Sequence, residues 1–149
     1  MPATTIDTVE TAMRAAIEAT TPRIVEQSGT ATWRHYRGPR HPGTDARWFR
    51  FQWDDEGYTV GGFMGPQWVE TDYTLSIFVD YGGLPEHRVK VIAGDDLYQL
   101  RDVLNRLKST VGGLRWVEAI DWGFSPRSSD ENQAQVLLQY LVRIMKERA

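Results

Sequence analysis

The residues able to do chemistry are few, and their spacing brings little together. The histidines are His35, His41 and His87. The first two stand six apart with no carboxylate at metal-ligand spacing, and the third stands alone, so none forms a metal-binding pattern. No serine lies in a G-x-S-x-G turn. The glycine-rich run Gly57 to Gly65 lacks the lysine and the helix start of a phosphate loop, and reads as a bulged or bent strand. Carboxylates cluster at Asp54-Asp55-Glu56 and at Asp95-Asp96. No neighbouring apolar stretch implies a pocket that would split their acidities, so the first reads as a solvated turn and the second as a helix cap. The chain has no cysteine, which removes disulfides, thiol chemistry and the soft ligands of structural zinc. No catalytic, cofactor-binding or metal-ligating residue is assigned. No cofactor is expected, and the chain is expected not to be an enzyme.

Charge is distributed more informatively. From Arg34 to Arg50 five arginines face one acid, a net of +4, while from Asp54 to Asp96 nine acids face Arg88 and Lys90, a net of −7. The arginines are interleaved with Trp33, Tyr36, Trp48, Phe49 and Phe51, a pattern suited to phosphates and stacked bases. Against that, the acidic middle segment repels a phosphate backbone and the whole chain carries −3. The other reading is a contact between copies, the basic segment of one meeting the acidic face of the next, which closes into a ring when the rotation permits. Its expected residues are Arg37, Arg40, Arg47, Trp48 and Arg50 on the basic side, with Glu70, Asp72 and Asp80 on the acidic side. The plainest alternative makes the aromatics core and the charges ordinary surface.

The elements that must position these residues follow from periodicity. At 149 residues, 41% hydrophobic and 25% charged, the chain suits one domain with a real core. No apolar run approaches 18 residues and the start lacks a signal-peptide pattern, so a soluble cytoplasmic protein without a membrane segment is expected. Thr5 to Thr20 reads as a helix with an Ile6, Val9, Met13, Ile17 stripe, capped by Thr5 or by an Asp7–Glu10 box. Thr30 to Arg37 is a weak strand, and residues 37–66 read as a long loop and hairpin insertion. Within it Arg47 to Trp53 alternates an aromatic face with a mixed one, 54–57 turns, and Tyr58 to Phe63 is the returning partner. Trp68 to Tyr81 alternates for fourteen residues, more than twice the usual strand length. Phe78 is the one apolar exception on its polar side. His87 to Ala93 alternates as a further strand. A helix over 96–109 follows, started by Gly94-Asp95-Asp96 and stopped by Gly112-Gly113. A strand pair over 114–145 closes the chain. Leu114, Trp116, Ile120 and Trp122 share the face of its first member. Its second, Ala134 to Met145, fits a helix through Leu137, Leu138, Leu141 and Ile144 or Met145 as well as a strand whose polar side Leu137 and Leu141 break, and its β-branched and aromatic members favour the strand. The fold class is α+β, a mostly antiparallel or mixed sheet with two helices on one face.

This order resembles the tail terminator proteins of long-tailed bacteriophages. The resemblance runs from the N-terminal helix, through D-Y-T-L-S-I-F-V-D-Y and the acid-capped D-D-L-Y-Q-L-R-D-V-L, to W-V-E-A-I-D-W and the final A-Q-V-L-L-Q-Y-L-V-R. It spans roughly Thr5 to Arg148 and is architectural, resting on no diagnostic motif. It implies a homohexameric ring at the tail–neck junction of the virion, assembled in the host cytoplasm. Its partners would be the tail tube protein and a head-completion or neck protein, with neither a membrane nor a specific nucleic acid. Another neck or head–tail connector protein is the first alternative, a small cytoplasmic nucleic-acid-binding module the second.

Overall fold

The computed structural model describes residues 3–26, 30–37, 46–54, 58–63, 68–81, 84–124 and 135–147, at 58–63 and 68 by backbone alone. Helix α1 is Ile6–Glu18. Val9, Met13 and Ile17 recur every fourth residue and give it a buried stripe. Thr5 is the N-cap, its hydroxyl accepting from the amide of Thr8 at 3.2 Å. Glu10 closes no box with Asp7; its Oε1 accepts from the Trp53 indole at 3.0 Å.

The strands are β1 (Trp33–His35), β2 (Arg47–Trp53), β3 (Tyr58–Phe63), β4 (Trp68–Asp80), β5 (Leu114–Phe124) and β6 (Gln135–Glu147), with helix α2 (Glu86–Arg106) between β4 and β5. The order across the sheet is β1-β2-β4-β6-β5, with β3 also on β4. β1 runs parallel to β2 and every other pair is antiparallel, so the sheet is mixed. The long alternating strand is central: β4 pairs with β6 from Trp68↔Glu147 to Asp80↔Gln135. Tyr73, Leu75, Ile77 and Val79 of β4 and Val136, Leu138, Tyr140 and Val142 of β6 share one buried cluster with both helix stripes. The Tyr140 hydroxyl donates to the Leu97 carbonyl at 2.7 Å, seating α2 on that face. The chain is thus α+β, with both helices on one side of the sheet.

Four expectations are corrected. Residues 87–93 are not a strand but the first turns of α2, and of the expected 96–109 helix 96–106 is only its second half, Leu107–Ser109 forming a 3-10 turn after it. Val89, Ile92, Ala93, Asp96, Leu97, Leu100 and Leu104 are buried at three- and four-residue spacing. The Val89, Val91, Ala93 alternation is accidental, for Val91 is exposed. Asp96 is accordingly no cap but an inward-facing helix residue.

Second, Tyr58–Phe63 does not return on β2. β2 lies along 75–80 of β4 and β3 along 69–72, both antiparallel to it, so the two follow one edge in succession. The Asp54 amide still donates to Thr74 at 3.2 Å, extending the β2 ladder past its last strand residue. Third, β5 does not present Leu114, Trp116, Ile120 and Trp122 together. Register shifts between Leu114 and Trp116 and between Ala119 and Asp121 exchange the faces, burying Leu114 and Val117 and exposing Trp116 and Ile120. Fourth, the first helix ends at Glu18, two residues short of Thr20, whose hydroxyl bonds back to the Ala16 carbonyl at 2.8 Å. The turn into β5 needs Gly113 at φ 91°, the left-handed region that favours glycine.

Gly94 sits inside α2, and a Cβ there would meet only the Trp122 Nε1 at 3.7 Å, an ordinary contact. Gly94→Ala is therefore expected to raise stability by about 0.5–1 kcal/mol, the helix propensity of alanine over glycine. The shift in urea midpoint measures it; a loss of stability would contradict a helix at this position.

Candidate functional site

Alternation along β2 divides the expected basic side. Arg47 has the parity of Phe49, Phe51 and Trp53 and points to the helix face, while Trp48, Arg50 and Gln52 point to the other. Arg47 is fully buried, which corrects its expected place on an exposed contact. Its Nε donates to the Thr30 carbonyl at 2.9 Å, its Nη1 to Asp96 and its Nη2 to the Ile24 carbonyl. The guanidinium carbon stands 5.3 Å from the Trp33 ring centroid and 5.5 Å from that of Tyr81, whose hydroxyl donates to Asp96 at 2.6 Å. Burial pushes the Asp96 carboxyl up to about 6, opposed by Arg47 and the Tyr81 hydroxyl, so it is ionised at neutral pH and balances the buried cation.

The expected acidic side is neutralised within the chain. Asp72 lies opposite Arg143 in the β4–β6 register and takes two hydrogen bonds from it, at 2.7 and 3.1 Å. That pairing raises the Arg143 pKa above its ordinary value. Glu70 is paired with Arg115 of β5 at 3.3 Å. Asp80 is buried, accepting from the Tyr36 hydroxyl at 3.1 Å and from the Gln135 amide at 3.4 Å. Burial, with the Asp80 charge second, pushes the Tyr36 hydroxyl up to about 12. Trp48, also buried, is edge-on to Tyr36 at 6.5 Å and stands opposite Asp80. Arg50 lies 4.3 Å over the ring of Phe78, its cross-strand partner. Arg37 is exposed, and Arg40 lies outside the described residues. The structure therefore gathers Trp48, Arg50 and Asp80 at one end of the helix-free face and Glu70 and Asp72 at the other, with Arg47 on the opposite side of the sheet.

Between those ends the helix-free face is neutral. Thr74, Ser76 and Phe78 of β4 stand opposite Leu141, Gln139 and Leu137 of β6, all half-buried, with no described helix above them. Phe78, Leu137 and Leu141 are the residues that break the alternation of their strands. The breaks mark this surface, and Phe78 and Leu137 are direct cross-strand partners. Arg115 and Arg143, which neutralise the acids, carry no such mark, because ion pairing across a sheet depends on register.

At the β1 end a cleft of about 450 Å³ is lined by Asp7, Glu10, His35, Tyr36, Arg37, Arg50 and Phe51. Three of its polar groups are engaged elsewhere. Glu10 holds the Trp53 indole, Tyr36 holds Asp80, and His35 packs against Phe49 and Phe51 at 5.3 and 6.0 Å with its pKa lowered, chiefly by burial and then by Arg14. No hydrogen-bonded nucleophile and base meet there. Among the described residues no group of three His, Asp or Glu is placed to hold a metal ion, and no helix is long and apolar enough to cross a membrane. A scan against protein-family models matches none, and a search of curated proteins finds no similar sequence.

The contrast between neighbours on β2 is testable. Arg47→Met or Asp96→Asn is expected to cost about 3–5 kcal/mol, because each leaves the other group buried without its partner. The double variant Arg47→Met/Asp96→Leu should lose less than the sum. Arg50→Glu should cost about 1 kcal/mol or less, the range of an exposed cation–π contact. Chemical denaturation followed by circular dichroism separates them, and an Arg47 variant as stable as the Arg50 variant would refute the assignment.

Proposed function

We propose that the protein is a structural ring protein of the tail terminator kind, capping a finished tail tube, stopping its polymerisation and presenting a surface to the head-completion proteins. The observation that carries this reading is the arrangement of elements: α1, the strands ending in long β4, then α2 and the β5–β6 pair, with both helices on one face. The resemblance rests on the same order of elements, although α2 begins at Glu86 and not at an acidic cap, and the arrangement leaves the other sheet face without a described helix. The chemistry of that face supports the same reading. A neutral centre flanked by internally paired carboxylates and arginines offers shape and apolar area to a protein partner. Among the described residues it presents no row of unpaired cations to a phosphate backbone. Engagement of a tube needs no cofactor and no proton transfer.

The test is assembly. Purified protein imaged by electron microscopy with polymerising tail tubes is expected to give closed rings at one tube end and tubes that cease to lengthen. The ring should have a mass six times that of the chain. Tubes that grow unchanged in its presence would remove the capping role, and rings that bind only a head-completion protein would favour a connector.

A further inference from the structure

We infer that copies of this chain join head to tail, the α2–β5 end of one sheet meeting the β1 end of the next. The inference rests on the ring reading and names its subunit contact. Of the five exposed large apolar residues among the described ones, Val91 (55%), Tyr98 (53%), Trp116 (44%) and Ile120 (52%) lie on α2 or β5, and Val25 lies between α1 and β1. β5 is the outermost strand at its end of the sheet. Val91 and Tyr98 are seven residues apart, two turns along one helical stripe. Between them Gly94 lies against Trp122 of β5, so this stretch of the helix adjoins the outermost strand. Apolar residues concentrated at one end of a molecule mark an interaction surface.

Charge selects the occupant. Glu118 and Asp121 are exposed on β5 and make no ion pair among the described residues. The Lys108 ammonium stands 5.2 Å over Trp116, so the acidic half is the one from Glu118 onwards. At the opposite end β1 is outermost, and Arg34 and Arg37 are exposed there, also without an ion pair among the described residues. Arg101 stands over Tyr98 as Lys108 does over Trp116, so it is the acids Glu118 and Asp121 of one end that match arginines on the other. A two-fold contact of the β5 end with itself would set Glu118 and Asp121 against their own copies. A contact between unlike ends is heterologous, the kind that closes into a ring when the rotation permits. The two bulges of β5 interrupt its outer backbone ladder, so the contact is made by side chains and not by a continued sheet.

The charge-swap experiment reads this directly. Arg34→Glu/Arg37→Glu and Glu118→Arg/Asp121→Arg are each expected to weaken self-association about tenfold in sedimentation at low salt, equivalent to about 1.4 kcal/mol. The chain carrying all four changes should recover it. Because the chain has no cysteine, Arg34→Cys/Glu118→Cys gives a second measure. Oxidation of that double variant should produce a ladder of covalent multimers ending at the closed ring, and neither single variant should form one. Rings from the unaltered chain with neither rescue nor ladder would overturn this contact while leaving the ring reading standing. Disulfide dimers from Glu118→Cys alone would overturn it in favour of a two-fold contact. An unaltered chain that stays monomeric at every concentration, on tube ends included, would remove both.

Discussion

The buried guanidinium of Arg47 is the constraint on which the architecture turns. It holds two carbonyls from the segment before β1, lies between the rings of Trp33 and Tyr81, and pairs with Asp96 in the middle of α2. Five donors in a fixed fork reach partners that no apolar side chain could align. Removing two charges from water costs more than most ion pairs return, so the pair is a poor source of net stability. Its effect is on arrangement: α2 must place Asp96 beside β2, which settles how the helix lies on the sheet. A helix that began at Asp96, as a cap, would have no such partner to offer.

The two faces of the sheet then acquire different roles. The helix side takes the continuous apolar cluster from α1, α2, β4 and β6. The other side keeps its charges but neutralises them locally, Asp72 with Arg143 and Glu70 with Arg115. Asp80 is drawn under Tyr36 and Gln135. At the sheet ends, among the described residues, Arg34 and Arg37 on one side and Glu118 and Asp121 on the other are exposed without an ion pair. Glu70, Asp72 and Asp80, the acids of the central strand, are thus all engaged within the chain.

Much of the fold was legible. β4 and α1 follow from long, regular periodicity, which tertiary context seldom overrides; β6 was ambiguous by period, and its β-branched and aromatic residues marked it as a strand. The short windows failed. Seven residues from His87 to Ala93 fit a strand as well as a helix, and only the buried stripe extended to Leu104 separates them. Each β5 bulge adds one residue and exchanges the faces beyond it, so counting by twos misplaced Trp116 and Ile120. For the candidate site, Phe78, Leu137 and Leu141 were visible as breaks in alternation. Arg47 shared parity with three aromatics, and that parity, against its charge, placed it inside.

The sequence by itself determined which stretches alternate or repeat every three to four residues, and hence the α+β class, the long central strand and the side of the sheet that takes the helices. These are local properties, because side-chain direction follows from backbone period. Only the tertiary structure decided that β3 follows β2 along one edge, that Asp96 answers Arg47 across 49 residues, and which charges remain unpaired. Pairings between distant segments depend on register, and register is fixed by packing the whole sheet at once.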